Sequence, residues 1–423
     1  MAAGNKSGTI TRRGFLQRSQ AMMAVLGAGS LVGSTEALAA PTKTTGTDYY
    51  SKLGVKTLIN AAGTYTFLTA AVMPPQVRDA VYEAAKHPVY LKDLQVKAGE
   101  YLAKKLRCEG AVVTCGASSA LTLAAAACVT AANNCKPEDI PQNIGSKNEV
   151  IVQHGHRYGY DHALELCGLK FVEVVTMEDY RKAFNEKTVM TNFFNAAEHG
   201  EIGHKDWLAI AHEHNVPCCI DAAADMPPIE NLWKYTEMGF DLVCFSGGKG
   251  IRGPQNAGLL LGKKHYTDLA HANNNPVDGV ARGMKVAKEQ IVGMVAAIDW
   301  LLEQSNESMT KEFTRRAEAI GNIVKDVPTM QVTYFTPPAA NQVPHVIMTF
   351  DPAALGITAK EAQQKLRELD MPIELNPATG STRSSGGVPP HPNALVATTW
   401  MLNPGEDEII GKQIKAILTK KKA

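Results

Sequence analysis

The stretch Asp241-Leu242-Val243-Cys244-Phe245-Ser246-Gly247-Gly248-Lys249-Gly250-Ile251-Arg252-Gly253-Pro254 decides how the chain folds. Leu242 to Phe245 form an apolar run of strand length, and the run breaks into glycines that hold one lysine. A lysine set just past a buried strand is not a core residue, and glycines on both sides let backbone approach a bound ligand closely. Desolvated there and hemmed by a second cation such as Arg252, its amine has a lowered pKa and is fit to form a Schiff base. The competing reading is an anion-binding lysine of a phosphate loop, but the stretch lacks the G-x-x-x-x-G-K-[ST] order that such a loop needs.

Working outward, Pro217-Cys218-Cys219-Ile220-Asp221 is a second apolar strand, with Asp221 at its C-terminal end, where α/β proteins bind ligands. Taken alone, Asp221 reads as a helix N-cap. Taken with Lys249 it reads as the carboxylate that keeps the pyridine nitrogen of pyridoxal phosphate (PLP) protonated, followed by small residues that leave room under a ring. Farther upstream, Val113-Thr114-Cys115-Gly116-Ala117-Ser118-Ser119-Ala120-Leu121 is a strand that turns into an Ala-rich helix. The N–H groups of that turn, the helix N-terminus and the two hydroxyls make a phosphate cup, to which Ser246 adds another hydroxyl.

The remaining pattern alternates apolar strands with helical spacing, which points to an α/β fold with a mostly parallel sheet. Strands are expected at Glu149 to Val152, Lys170 to Val175, Val189 to Thr191 and Ala257 to Gly262, with helices at Tyr158 to Cys167, Met177 to Phe184, Lys205 to His214 and Ile229 to Met238. Lys285 to Val327 reads as one long or broken helix. Strands near Met330 to Phe335, Val343 to Phe350, Pro372 to Leu375 and Leu395 to Leu402 follow, with helices from Thr358 to Leu369 and at the C-terminus. The expected organisation is a large cofactor-binding domain at 58–284, a connecting helix at 285–327 and a small α+β C-terminal domain at 328–423.

A phosphate turn, an Asp and a Ser-x-x-Lys follow one another in the order found in fold-type I PLP enzymes, and the chain resembles that superfamily (aspartate aminotransferase-like) over its whole mature length. The resemblance narrows to the selenocysteine synthase (SelA)-like group. It is carried by Leu58-Ile59-Asn60-Ala61-Ala62-Gly63-Thr64-Tyr65-Thr66, the Gly116 to Ala120 turn, His156-Arg157 with Tyr160-Asp161, Asp221-Ala222-Ala223, and Ser246 to Lys249 with Gly253-Pro254. The glycine-bearing phosphate turn is more like the branch that contains D-glucosaminate-6-phosphate ammonia-lyase than the tRNA-acting enzymes. The resemblance implies Lys249 as internal aldimine and general base, Asp221 as pyridinium partner, and Ala223 beneath the ring. It implies Gly116, Ala117, Ser118, Ser119 and Ser246 as phosphate ligands. His154 and His156 flank Gly155 at another ligand-facing strand end, where either is a polar loop residue or a contact to the cofactor ring. Arg157, Arg252, Arg282 and Arg383 are candidate partners for a substrate carboxylate, Arg383 in a loop that otherwise reads as plain surface.

The implied activity is α,β-elimination of the ammonia-lyase type on an amino acid or amino-sugar acid, by a homodimer or higher oligomer. A selenocysteine synthase-like transfer, racemisation and aminotransfer on the same cofactor are the alternatives, and a binding protein that retains the cofactor is the non-enzymatic one. Composition narrows these. The 423 residues carry 43 Lys plus Arg against 42 Asp plus Glu, and a net charge of +1 removes the general case for a nucleic-acid partner. Eight cysteines are too dilute for a disulfide scaffold, and with no C-x-x-C pair no metal is assigned.

Residues 1–39 read as a twin-arginine signal peptide, with Arg12-Arg13-Gly14-Phe15-Leu16, a short Ala- and Gly-rich apolar run and Ala37-Leu38-Ala39, and 40–57 as a leader. The protein is therefore expected to pass folded through the twin-arginine export machinery to the periplasm, soluble after cleavage. An exported protein is expected to meet no aminoacyl-tRNA, and the Ile59 to Thr66 motif begins almost directly after the expected signal peptide, whereas the bacterial selenocysteine synthases carry an extra N-terminal domain that engages tRNA. Folding in a reducing cytoplasm favours buried thiols over disulfides.

Overall fold

The computed structural model describes residues 47–69, 71–196 and 200–420, so the expected signal peptide lies outside the described residues. Two units are distinguished. In the N-terminal one, Asp48 caps the short helix Tyr49–Leu53 by accepting the Tyr50 N–H at 3.0 Å, and Gly54 ends it at φ +70°. The rest of the chain, from Lys56 onward, is the second unit.

That second unit begins with a three-residue strand, β1 (Ile59–Ala61). Its main sheet is built from β2 (Gly110–Thr114), β3 (Glu149–Gln153), β4 (Lys170–Val174), β5 (Thr188–Phe194), β6 (Cys218–Asp221), β7 (Leu242–Ser246) and β8 (Gly258–Gly262). Their order is β2-β8-β7-β6-β5-β3-β4. β8 alone runs antiparallel to its neighbours. The reason is the connection. Only a loop, Gly247 to Ala257, joins β7 to β8, whereas a parallel neighbour needs a crossover helix.

Both faces of the sheet are covered over its central strands, which are apolar rather than alternating, whereas the edge strand β4 keeps Lys170 and Glu173 exposed. Ile151, Ile220, Val243 and Leu259 face one core, while Val150, Cys219, Leu242, Cys244 and Leu260 face the other. The helix Gly116–Asn133 fills the second core with alanines, four of them in a row fully buried at 124–127, and their small size lets the helix lie close to the sheet. Among the described residues this helix alone is long and apolar enough to cross a membrane, and here it is a core helix. All eight cysteines are free thiols.

The long or broken helix expected over 285–327 takes the broken form, Lys288–Leu302 and Asn306–Val324, with Ser305 capping the second by accepting the Ser308 N–H at 3.1 Å. Beyond it, β9 (Gln331–Phe335), β10 (His345–Thr349) and β12 (Ala394–Thr398) form an antiparallel sheet in the order β12-β10-β9, whereas β11 (Ile373–Leu375) pairs in parallel with β1. This pairing was not foreseen. It brings the Leu58 to Thr66 motif against the C-terminal region. The expected helix from Tyr158 to Cys167 is reduced to one turn, His162–Glu165, because Tyr158 is drawn away to Asp221 and Arg157 is held by Asp161.

Candidate active site

The parallel strands end on one edge of the sheet, and a cavity of about 390 Å³ opens there. β2 delivers Gly116, Ala117 and Ser118 to it, β6 delivers Asp221 and Ala223, and β7 delivers Ser246 and Lys249. Seven residues singled out in the sequence thus line one space.

The phosphate turn is built by backbone. The 18-residue helix Gly116–Asn133 has no side-chain cap at Cys115, so its first N–H groups face the cavity without an intramolecular partner, the arrangement that binds an anion. Gly116 takes φ +83°, and the chain packs so tightly on it that a Cβ at Gly258 would stand 2.3 Å from the Gly116 carbonyl carbon. Ser118 lines the cavity. Ser119 does not: it is 2 % exposed, turned inward on the helix, with its Oγ unpartnered.

Asp221 is almost fully buried. Its Oδ1 accepts the Ala223 N–H at 2.9 Å and its Oδ2 accepts the Tyr158 hydroxyl. The Tyr158 ring stacks on Phe194 with centroids 3.9 Å apart and planes inclined by 18°, and both rings line the cavity. Burial, with the Asp221 charge behind it, pushes the Tyr158 hydroxyl far above the usual phenol range, so it stays a neutral donor.

Lys249 sits in a turn fixed by backbone bonds, Arg252 N–H to Lys249 O at 2.9 Å and Gly253 N–H to Gly247 O at 2.7 Å. Only glycine fits beside it, because a Cβ at Gly250 would lie 2.0 Å from the Met226 carbonyl oxygen. Burial lowers the Lys249 pKa, opposed by the charges of Asp221 and Asp225. Asp225 is a second buried carboxylate that sequence reasoning passed over. Its Oδ2 accepts from Asn195 Nδ2 at 2.6 Å and from the Tyr235 hydroxyl at 3.0 Å, its Oδ1 has no partner, and burial pushes its pKa up to about 6.

The histidines do not reach the cavity. β3 runs into a 3₁₀ turn, His154–His156, that swings His154 outward to Glu173, with Nδ1 2.6 Å from Oε2. His156 turns inward, where its Nδ1 accepts the Phe194 N–H at 3.2 Å and burial lowers its pKa to about 4. The aromatic that the strand end presents to the cavity is Tyr158, two residues past the turn. Arg157 is likewise placed elsewhere, bound to Asp161 and Glu173. Arg282 pairs with Asp278 at 3.4 Å, and Arg383 is exposed in its loop. Arg252 lines a separate, neighbouring cavity.

Lys249 also faces a smaller pocket of about 90 Å³ whose walls include Tyr65, Asn341, His345 and Trp400. Asn60 shapes the approach to it: its Oδ1 accepts the N–H groups of Ala62 and Gly63, turning the chain so that Tyr65 and Thr66 come to the site.

An uncapped helix N-terminus, two stacked aromatic rings, a small Ala223, a buried carboxylate and a desolvated amine around one cavity fit PLP, group by group. Fold and site together define an enzyme of the fold-type I PLP class. The chain belongs to the SelA family: the family model described as L-seryl-tRNA selenium transferase matches residues 58–320. The D-glucosaminate-6-phosphate ammonia lyase of Salmonella typhimurium is 27% identical over 330 residues, covering 75% of this chain and 86% of that protein. A 5'-C-glycyluridine monooxygenase-decarboxylase of a Streptomyces species is 26% identical over 332 residues, covering 75% and 81%. The solved structure of D-glucosaminate-6-phosphate ammonia-lyase superposes with a TM-score of 0.75 at 25% identity, over 88% of this chain and 98% of that one.

Proposed function

We propose that this chain is an exported PLP-dependent lyase that removes ammonia or a β leaving group from an amino acid or amino-sugar acid. The observation that carries the reading is the convergence of Lys249, Asp221 and the uncapped start of helix Gly116–Asn133 on one cavity. The likeness to an ammonia lyase, in sequence and in structure, favours elimination over transfer.

Bound PLP supplies an electron sink for charge that develops on the substrate's α carbon. The chain's own residues do the rest. The helix N–H groups, with the hydroxyls of Ser118 and Ser246, would hold the phosphate. Asp221, fixed by Tyr158 and the Ala223 amide, would keep a proton on the pyridine nitrogen. Ala223 would leave room for the ring, and the Tyr158–Phe194 stack would wall it from water. Lys249 would anchor the cofactor through its amine, and as a free amine would take the proton from the substrate's α carbon. Its lowered pKa raises the fraction of free amine available for both tasks.

Chain reconstituted with PLP is expected to turn yellow, and borohydride to bleach it and fix the label on Lys249, located by peptide mass. A colourless preparation that ignores added PLP sinks the reading. An amine screen that follows ammonia, keto acid and loss of chirality then separates elimination from aminotransfer and racemisation.

Export and assembly belong to the same proposal. Changing Arg12 and Arg13 to Lys is expected to leave the protein in the cytoplasm, as cell fractionation would show. Exposed Phe67, Tyr82 and Tyr90 favour a homo-oligomer over a monomer, which light scattering checks.

A further inference from the structure

Next to the cofactor cavity lies a second one of about 200 Å³ that the proposed reaction does not use. Arg252, Trp300, Arg316 and Trp400 are among its walls. Arg252 adopts φ +59°, a conformation that a residue with a side chain rarely takes and that tends to persist where function requires it. Its N–H closes the turn onto the Lys249 carbonyl, so this guanidinium hangs from the same turn as the reactive amine.

The guanidinium has little to hold. Its Nε donates to the Val72 carbonyl at 2.9 Å and its Cζ lies 5.6 Å from the centre of the Trp300 ring. Among the described residues no carboxylate pairs with it, and its four Nη hydrogens have no acceptor. The one carboxylate in the cavity wall, Glu312, is taken up elsewhere: its oxygens accept from Arg315 at 2.8 and 2.9 Å and from Arg316 at 2.7 Å. Arg316 spends its Nη1 on the carbonyls of Thr399 and Leu402. Burial, then repulsion from Arg316 and Arg78, pushes the Arg252 pKa down to about 10.

A half-buried guanidinium with a free planar fork is built for a planar or tetrahedral oxyanion. We propose that this cavity is an oxyanion subsite in which Arg252 grips one carboxylate or phosphate group through its two Nη atoms. The anion arrives either free or as a second acid group on the amine substrate. Trp400 is a wall both of this cavity and of the pocket that holds Lys249, so one ligand spanning the two would pack along its indole. The substrate-borne source rests on the functional reading above, but the subsite itself does not.

Calorimetric titration of inorganic phosphate into the PLP-loaded chain, whose own phosphate turn is already filled, tests the site. Saturable binding that weakens about tenfold or more in Arg252→Gln, with Arg252→Lys in between because it keeps the charge and loses the fork, supports it. A KM for amines with a second acid group that rises about tenfold in Arg252→Gln, while KM for amines without one stays put, supports it and assigns the anion to the substrate. Phosphate affinity and diacid KM both indifferent to Arg252→Gln overturn it. If the chain takes up no PLP yet binds phosphate through Arg252, the functional reading falls and the subsite stands.

Discussion

β7 and β3 end on the same edge of the same sheet, yet they present their side chains in different ways. Past β7 the chain makes a glycine turn pinned at both ends by backbone hydrogen bonds, and Ser246 and Lys249, three residues apart, both face the cavity. Past β3 it makes one 3₁₀ turn, with three residues to the turn, so His154, His156 and Tyr158 point outward, inward and into the cavity in succession. A strand end thus fixes which edge a residue occupies, and the turn beyond it fixes which residue is used.

The strongest way to break that contrast is at β7. Lys249→Ala is expected to lower kcat/KM by about three orders of magnitude or more and to abolish the borohydride-fixed label. Any residual yellow colour that borohydride fixes on another lysine would show that the turn had been misjudged. Asp221→Asn, at the end of β6, keeps the shape and removes the charge, with an expected loss of roughly a hundredfold to a thousandfold. Its bound PLP should titrate at a different pH from that of the parent, and an unchanged spectral titration would detach Asp221 from the ring.

What was legible in the sequence divides along the same line. Lys249, Asp221 and Gly116 were readable because each carries its own backbone signature: an apolar run that stops at a glycine or at a charge where a buried strand must end. The central strands β6, β7 and β8 announce themselves through apolar runs for the same reason. Tyr158 and Asp225 were not readable, because what makes them important is a partner distant in sequence, 63 residues away for Tyr158 and Asp221. The β1–β11 pair joins residues more than three hundred positions apart through three residues each, too short for any periodicity to mark.

Asp225 sharpens the contrast within β6 itself, whose end carries one carboxylate with donors on both oxygens and, four residues on, one with a bare Oδ1. Its pKa is raised from 3.8 to about 6, so the fold favours the protonated form. The corresponding stabilisation is complete below the unfolded pKa and is lost as pH rises through about 6, amounting to about 3 kcal/mol. Asp225→Asn should therefore gain up to that much over the parent in urea melts at about pH 8 and nothing at about pH 4. The side-chain oxygen of asparagine still accepts from Asn195 and Tyr235, so equal destabilisation at both pH values would mean that the ionised form is the one the fold is built around.

The smallest effects test β3, where the two readings of one turn separate. Tyr158→Phe keeps the stack on Phe194 and removes the donor to Asp221 Oδ2, leaving a buried charged oxygen without a partner. Losing a hydrogen bond to a charged group is worth about tenfold or somewhat more in kcat/KM, with the spectral titration of bound PLP moving in the same direction as in Asp221→Asn. His154→Ala removes only a pair with Glu173 whose histidine side chain is 71 % exposed, a contact of about 1 kcal/mol or less, and kcat/KM should hold within about twofold. If the order came out reversed, with His154 the sensitive position and Tyr158 the silent one, the 3₁₀ turn would have to rewind on binding the cofactor, and the strand end would be read by the histidines after all.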